Sequence, residues 1–400
     1  MPTHENPLVV RGIIVGDERP SDVVLQGGRV VSVRPAGRVR PALGSKTARI
    51  GPTLFDIQVN GANGINLQGG GVTVEDVGRL TAFLEGWGVS RWAPTICTNT
   101  PEAMEHGCRI LAEALRERAL SRAIPGIHVE GPYLSPMDGP RGAHSKRYVR
   151  TPSLRELDGL LKAADGRILY ITVAPELDGI VPFIKGAIRR GVKVALGHHH
   201  AGADDIARAV DAGARLCTHL GNGLASEINR HRNPLWPQLV CDELYGSFIA
   251  DLHHLPEPVL QAFVRVKRPE RTILTSDSVR LAGLKPGRYP HHSGIEGMAV
   301  ELLPSGKICL LGTDLLSGSS LMLLQGVANA ARVTDLTLEQ AFASASRVPA
   351  EALGLRPRPA RPVPGKKADF VLFDLDEANQ WKATVRAVFV DGRRVGGDHG

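Results

Sequence analysis

The stretch from Val192 to Asn222 constrains this chain more than any other. A short apolar strand ends in Gly197-His198-His199-His200, a helical segment runs from Ala203 to Ala212, and a second strand ends in Thr218-His219-Leu220-Gly221-Asn222. Strands joined by a helical crossover run parallel, so both histidines leave their strands on the same side of a sheet. One histidine at a strand end is more often a hydrogen-bonded structural residue than a ligand. A pair on neighbouring strands points to a metal.

The same unit recurs along the chain. Strand-like segments are expected at Thr53 to Asn60, Ser90 to Ile96, Pro125 to Gly131, Arg167 to Ala174, Val192 to His198, Ala214 to Leu220, Gly246 to Asp251 and Arg271 to Asp277. Amphipathic helical segments, such as Val74 to Trp87, Ala103 to Arg118 and Leu154 to Ala164, fill several gaps. Strand–helix alternation forces a parallel sheet, and eight strands is the barrel count. The expected fold class is therefore α/β, a distorted (β/α)8 barrel. An open doubly wound sheet is the competing architecture, but no GxGxxG follows the first strand. Asp56, Gln58, Asn60, Glu130, Asp251 and Asp277 also sit at or near strand ends, which reads as the mouth of an active site.

The two ends of the chain differ from the middle. Val9-Val10, Gly12-Ile13-Ile14-Val15 and Asp22-Val23-Val24-Leu25 are short β-branched runs broken by Gly and Pro, and Ala368 to Phe373 and Ala387 to Gly392 resemble them. We expect both termini, 1–50 plus 355–400, to build a small β-sandwich domain, with the barrel spanning 51–354. The net charge of +7 comes from scattered Lys and Arg, and aromatic residues make up only 4%. That balance suits a basic funnel for a small anionic substrate better than a nucleic-acid surface. Five cysteines without CxxC spacing argue against a disulfide framework and for a reducing cytoplasm. The polar Met1–Pro20 lacks the apolar stretch of a signal peptide, and no segment has transmembrane length without charges.

Several motifs, in this order, carry a family resemblance. They are Phe55-Asp56-Ile57-Gln58-Val59-Asn60-Gly61, Gly126-Ile127-His128-Val129-Glu130-Gly131-Pro132, Gly142-Ala143-His144, Ala174-Pro175-Glu176, Gly197-His198, Thr218-His219-Leu220, Ile249-Ala250-Asp251, Ser276-Asp277 and Pro364-Gly365-Lys366-Lys367-Ala368-Asp369. Over nearly its whole length the chain resembles the N-acetylglucosamine-6-phosphate deacetylases of the amidohydrolase superfamily.

The resemblance implies a metal-dependent hydrolase of a linear amide, removing acetate from the phosphosugar in amino-sugar catabolism, and a homodimer. It implies Glu130, His198 and His219 as ligands of one divalent ion, Zn2+, a set that suits a catalytic site with an open position. Read alone, Glu130 could be a salt-bridge partner at the barrel rim. Asp277 matches the family's general acid and base: it takes a proton as hydroxide attacks the acetamide and returns it to the departing amine. His144 matches the histidine that binds substrate and stabilises the oxyanion, although its Gly- and Arg-rich surroundings also fit a mobile loop residue. Gln58, Asn222, Gly223, Arg232 and His254 would contact the phosphosugar.

This chain departs from the family pattern around the substrate. Gln58 stands where many amidohydrolases carry a histidine for a second metal, while His199 and His200 could recruit one or be solvated loop residues. Gly221-Asn222-Gly223-Leu224 replaces aromatic-Asn-Ala-Met, and Arg230 competes with Arg232 for the phosphate. The family's Ala-Asp-Gly is Ala250-Asp251-Leu252, followed by His253 and His254. Two other functions stay open: an amidohydrolase of another N-acyl amine or amino sugar, and a non-catalytic metal-binding barrel.

Overall fold

The computed structural model describes residues 6–68, 70–290 and 299–397. Its centre is an eight-stranded parallel sheet in sequential order: Leu54–Val59, Val89–Cys97, Ile127–Glu130, Ile168–Val173, Lys193–Leu196, Leu216–Cys217, Tyr245–Ile249 and Thr272–Thr275. Each expected strand is present, and the sixth is the shortest. Helices between the strands lay apolar faces on the sheet. Val74–Gly86, for example, starts at a capping box in which Thr73 and Asp76 bond each other's backbone amides, and it buries Val77, Leu80 and Leu84.

Polar contacts close the seam between the first and last strands. Val59 forms a parallel bridge with Ser278, and the Asn60 amide donates to the Ser278 carbonyl at 2.8 Å. The buried Asp56 carboxylate accepts from the Thr275 hydroxyl at 2.7 Å and the Ser276 amide at 3.1 Å. Asp56 is therefore occupied in joining strand one to strand eight, and burial pushes its pKa up.

The sandwich expected from the termini is one continuous seven-stranded sheet folded onto itself. Its order is Arg393–Gly396, Lys382–Val390, Phe370–Asp376, Leu43–Gly51, Leu8–Ile14, Pro20–Gln26 and Arg29–Pro35. The fold-over is fixed where Val30 and Ala368 donate backbone hydrogen bonds to Lys366 and Gly28. Gly28 and Gly392 pass so closely there that a Cβ on Gly28 would lie 2.4 Å from the Gly392 carbonyl oxygen. Period-two alternation gives the strands two jobs. Phe370, Leu372, Ala387 and Phe389 fill the sheet's own core, whereas Val371, Phe373, Val385 and Val388 join the main core of the barrel.

After the last barrel strand comes a three-stranded antiparallel sheet, Gly287–Pro290, Ala299–Leu302 and Ile308–Leu310. The sequence reading did not anticipate it, because its strands are too short for a clear periodicity. Among the described residues no helix is long and apolar enough to cross a membrane, and all five cysteines are free.

Candidate active site

Glu130 is the last residue of the third barrel strand, and its placement rests on a polar layer inside the barrel. One turn of the pleat below it, His128 stacks on Tyr170 with ring centroids 4.0 Å apart. His128 also bonds Thr95 at 3.1 Å and Thr172 at 2.8 Å, and Thr172 bonds Thr218 at 2.7 Å. Burial pushes the His128 pKa down to about 3, so this histidine is a neutral spacer.

Above that layer, three atoms point at one spot. Glu130 Oε1 lies 3.2 Å from His219 Nε2 and 3.4 Å from His198 Nε2, and the two imidazole nitrogens are 3.0 Å apart. His198 Nδ1 donates to the Pro140 carbonyl at 3.0 Å. A carbonyl can only accept, so Nδ1 carries the proton and Nε2 offers its lone pair inward. Tetrahedral Zn2+ with Zn–N of 2.0–2.1 Å separates its ligand atoms by about 3.3 Å, so the separations and donor types suit a divalent cation. Glu130, His144 and His198 form an overlapping donor cluster. His144 Nε2 stands 3.2 Å from His198 Nε2 but 4.0 Å from Glu130 Oε2, so distance favours His219 as the third ligand.

The carboxylates are tuned in opposite directions. Burial works to raise the Glu130 pKa, but the close imidazoles of His198, His219 and His144 hold it well below the usual range. Asp277, just beyond the eighth strand, is pushed up to about 7, first by burial and then by the negative charge of Glu130. Asn60 opposes that rise by donating Nδ2 to Asp277 Oδ1 at 2.7 Å. His144 is pushed down to about 3 by burial and by His198, which leaves a neutral imidazole.

A cavity of about 540 Å³, within the range of small-ligand sites, opens over these groups. Its lining includes Asn60, Glu130, His144, His198, His219, Asn222, Gly223, His254 and Asp277. Gly223 closes on the metal-side imidazole: with φ of +61°, its absent Cβ would stand 2.8 Å from His198 Nδ1. Gln58 stays out of the lining but donates Nε2 to Glu130 Oε1 at 2.9 Å, so it braces the carboxylate. His254 is held by Asp251 through Nδ1 at 2.7 Å.

The remaining expectations come out differently. Arg230 and Arg232 are exposed, and neither lines the cavity. Their loop forms a local exposed turn, with Asn229 Oδ1 accepting the His231 and Arg232 amides. His199 is buried rather than solvated, receives the Ala201 amide at Nδ1 and bonds Gln238. His200 is exposed, and its amide donates to Glu176. Neither faces the cavity, so a second ion is not recruited there.

Cys97 and the segment Asp314–Gly318 also line the cavity, and the sequence reading missed both. Cys97 ends an ordinary apolar strand run and carries no motif. Asp314–Gly318 follows the last barrel strand at a distance in sequence and returns to it through the bridge between Ser319 and Ser278.

Residues 95–395 match the amidohydrolase family. The chain is 30% identical over 361 residues to the N-acetylglucosamine-6-phosphate deacetylase of Rattus norvegicus, covering 86% of this chain and 83% of that protein. It is 28% identical over 323 residues to the N-acetylgalactosamine-6-phosphate deacetylase of Escherichia coli O157:H7, covering 81% of this chain and 83% of that one. Among solved structures, it resembles a mutant N-acetyl-D-glucosamine-6-phosphate deacetylase from Mycobacterium smegmatis in complex with N-acetyl-D-glucosamine-6-phosphate. The TM-score there is 0.83 at 27% identity, covering 98% of this chain and 100% of that one.

Proposed function

We propose that this chain, which belongs to the amidohydrolase family and to its N-acetylglucosamine-6-phosphate deacetylases, hydrolyses the acetamide of N-acetylglucosamine-6-phosphate to the amine and acetate. The observation that carries this reading is the convergence of Glu130 Oε1, His198 Nε2 and His219 Nε2 in a cavity that Asp277 also lines. Those three atoms would hold one Zn2+. A divalent ion bound there supplies Lewis acidity to the amide carbonyl and makes water more acidic.

Asp277 takes the proton of the attacking water. A carboxylate raised toward neutrality holds that proton well enough to deliver it to the amine nitrogen as the C–N bond breaks. His144, neutral at physiological pH, donates a hydrogen bond to the developing oxyanion. Glu130 stays ionised and is braced by Gln58. Within the same cavity Asn222, the Gly223 amide and His254, held by Asp251, offer donors to the sugar and its phosphate.

One observation favours a second reading. Among the described residues, no Lys or Arg lines the cavity, which suits an N-acyl amine or amino sugar without a phosphate. The two readings separate in an acetate-release assay on zinc-reconstituted protein, with N-acetylglucosamine-6-phosphate, N-acetylgalactosamine-6-phosphate and unphosphorylated N-acetylglucosamine as parallel substrates. The first expects turnover that needs the 6-phosphate. Equal turnover of the unphosphorylated sugar would sink it and leave the second.

A further inference from the structure

His198 leaves the fifth barrel strand in a left-handed step, with φ of +53°. That conformation is unfavourable for an L-residue and persists where the surroundings over-determine it. Two of the contacts that do so come from backbone groups: the Pro140 carbonyl accepts Nδ1 at 3.0 Å, and the Ser135 amide donates to the His198 carbonyl at 3.0 Å. The third comes from a side chain. Glu176, three residues beyond the fourth barrel strand, accepts the His200 amide on Oε1 at 2.8 Å.

Backbone pairing between these two strands runs as far as the Gly197 amide, which donates to the Val173 carbonyl at 3.1 Å. Past that rung Glu176 supplies from its side chain the acceptor that a continued strand would supply from its backbone. Ser135 is buried, and its side chain interacts with the same carboxyl. Glu176 therefore joins the segment that runs from Ser135 to His144 with the turn from His198 to His200, and each carries a histidine of the site. It does not line the cavity, so any effect on the chemistry passes through those histidines.

We infer that Glu176 is a positioning residue: by holding the His200 amide it fixes the turn that aims the His198 ring, and so sets the metal affinity of the site without touching ion or substrate. This rests on the ion site of the Proposed function. Groups one step removed from a metal ligand typically contribute 10–100-fold in affinity or activity. The bond needs an oxygen acceptor at the right reach rather than a charge, which makes the role separable by substitution.

The test measures Zn2+ affinity of the metal-free full-length protein by competition with a chromophoric chelator, records the visible spectrum of the Co2+-loaded protein, and melts the metal-free protein. Glu176→Ala removes the acceptor, Glu176→Asp withdraws it by one methylene, and Glu176→Gln keeps a carbonyl oxygen at the same reach. We expect Zn2+ affinity to fall by about 10–100-fold in the alanine and aspartate variants and to return to the wild-type value in the glutamine variant. The cobalt spectrum should change in the first two alone, while all four metal-free proteins melt together. Wild-type affinity in the alanine and aspartate variants overturns the inference, as does an equal loss in the glutamine variant. A loss of affinity that tracks a lowered metal-free melting temperature also overturns it, because a merely structural role gives that pattern. No Zn2+ bound by wild type overturns the ion site and this inference together. Should the alanine variant fail to fold, the aspartate variant decides in its place.

Discussion

Removing the Asn60 amide should move the pH profile rather than merely lower the rate. Asn60 Nδ2 donates to Asp277 Oδ1 at 2.7 Å in a buried site, which stabilises the ionised carboxylate. A hydrogen bond to a charged group contributes about 1.5–3 kcal/mol, and one pKa unit corresponds to about 1.4 kcal/mol. Asn60→Ala should therefore raise the Asp277 pKa by about 1–2 units. The sign follows from the role: a base must be ionised, so a higher pKa carries the acid limb of kcat/KM upward. Below that limb the rate falls by roughly 10–100-fold, whereas well above it the variant approaches wild type. Asp277 already stands raised to about 7 by burial and Glu130, and a bound cation lowers that starting point without changing the expected direction. Acetate release from pH 5 to 9, with metal content measured on the same samples, checks this. An unmoved limb with zinc retained on His198 and His219 would show that Asp277 is not the base or that Asn60 does not hold it.

Asp277→Asn should cost about 10²–10⁴-fold in kcat while the protein retains its zinc; a loss under tenfold, seen by steady-state kinetics, would remove Asp277 from the proton transfer. The buried Arg11–Asp22 pair, with Nε to Oδ1 at 2.6 Å and Nη2 to Oδ2 at 3.0 Å, should appear in acid unfolding. The Arg11 hydrogen bond holds Asp22 below the usual carboxylate range despite burial. Its contribution is therefore complete above the unfolded value of about 3.9 and is lost as pH falls through the lower folded value. Thermal melts from pH 2 to 6 should show a shallower acid decline in Asp22→Asn than in wild type.

Eight strands and their helices were legible because hydrophobic periodicity reports local burial. The Glu130, His198 and His219 set was legible because strand ends in a parallel barrel share one face. What stayed hidden depends on long-range closure. Asp56 reads as a strand-end acid, yet it spans the seam to Thr275 and Ser276. Asn60 reads only as one polar group at a strand end until Asp277 is brought beside it. His199 reads as a neighbour of His198, but adjacent residues leaving a strand point apart, and its ring goes under the loop toward Gln238. Arg232 aligned with a phosphate ligand in sequence and is exposed in the structure, because sequence register does not fix the path of a loop.

One local device recurs at the functional strand ends and supplies a sharp stability test. His198, His219, Leu252 and Asp277 follow the fifth to eighth barrel strands within two or three residues, and all have positive φ: 53°, 31°, 64° and 49°. The left-handed step turns the chain away from the strand direction just where a functional side chain must face the cavity. His and Asp visit this region more readily than branched or bulky residues. Leu252 is the misfit, a branched residue at a left-handed position. A left-handed conformation costs an L-residue roughly 1–2 kcal/mol, which glycine avoids. Against this, Leu252 is partly buried against the main core, so either truncation gives up packing. Leu252→Ala loses the packing and keeps the strain; Leu252→Gly loses both. The glycine variant should thus be more stable than the alanine variant by about 1 kcal/mol, the reverse of their usual order in regular structure. Paired thermal melts should resolve a difference of about 1 °C. An alanine variant as stable as the glycine variant would mean that the left-handed step at Leu252 carries no strain, and the same energetic argument would then fail at His198, His219 and Asp277.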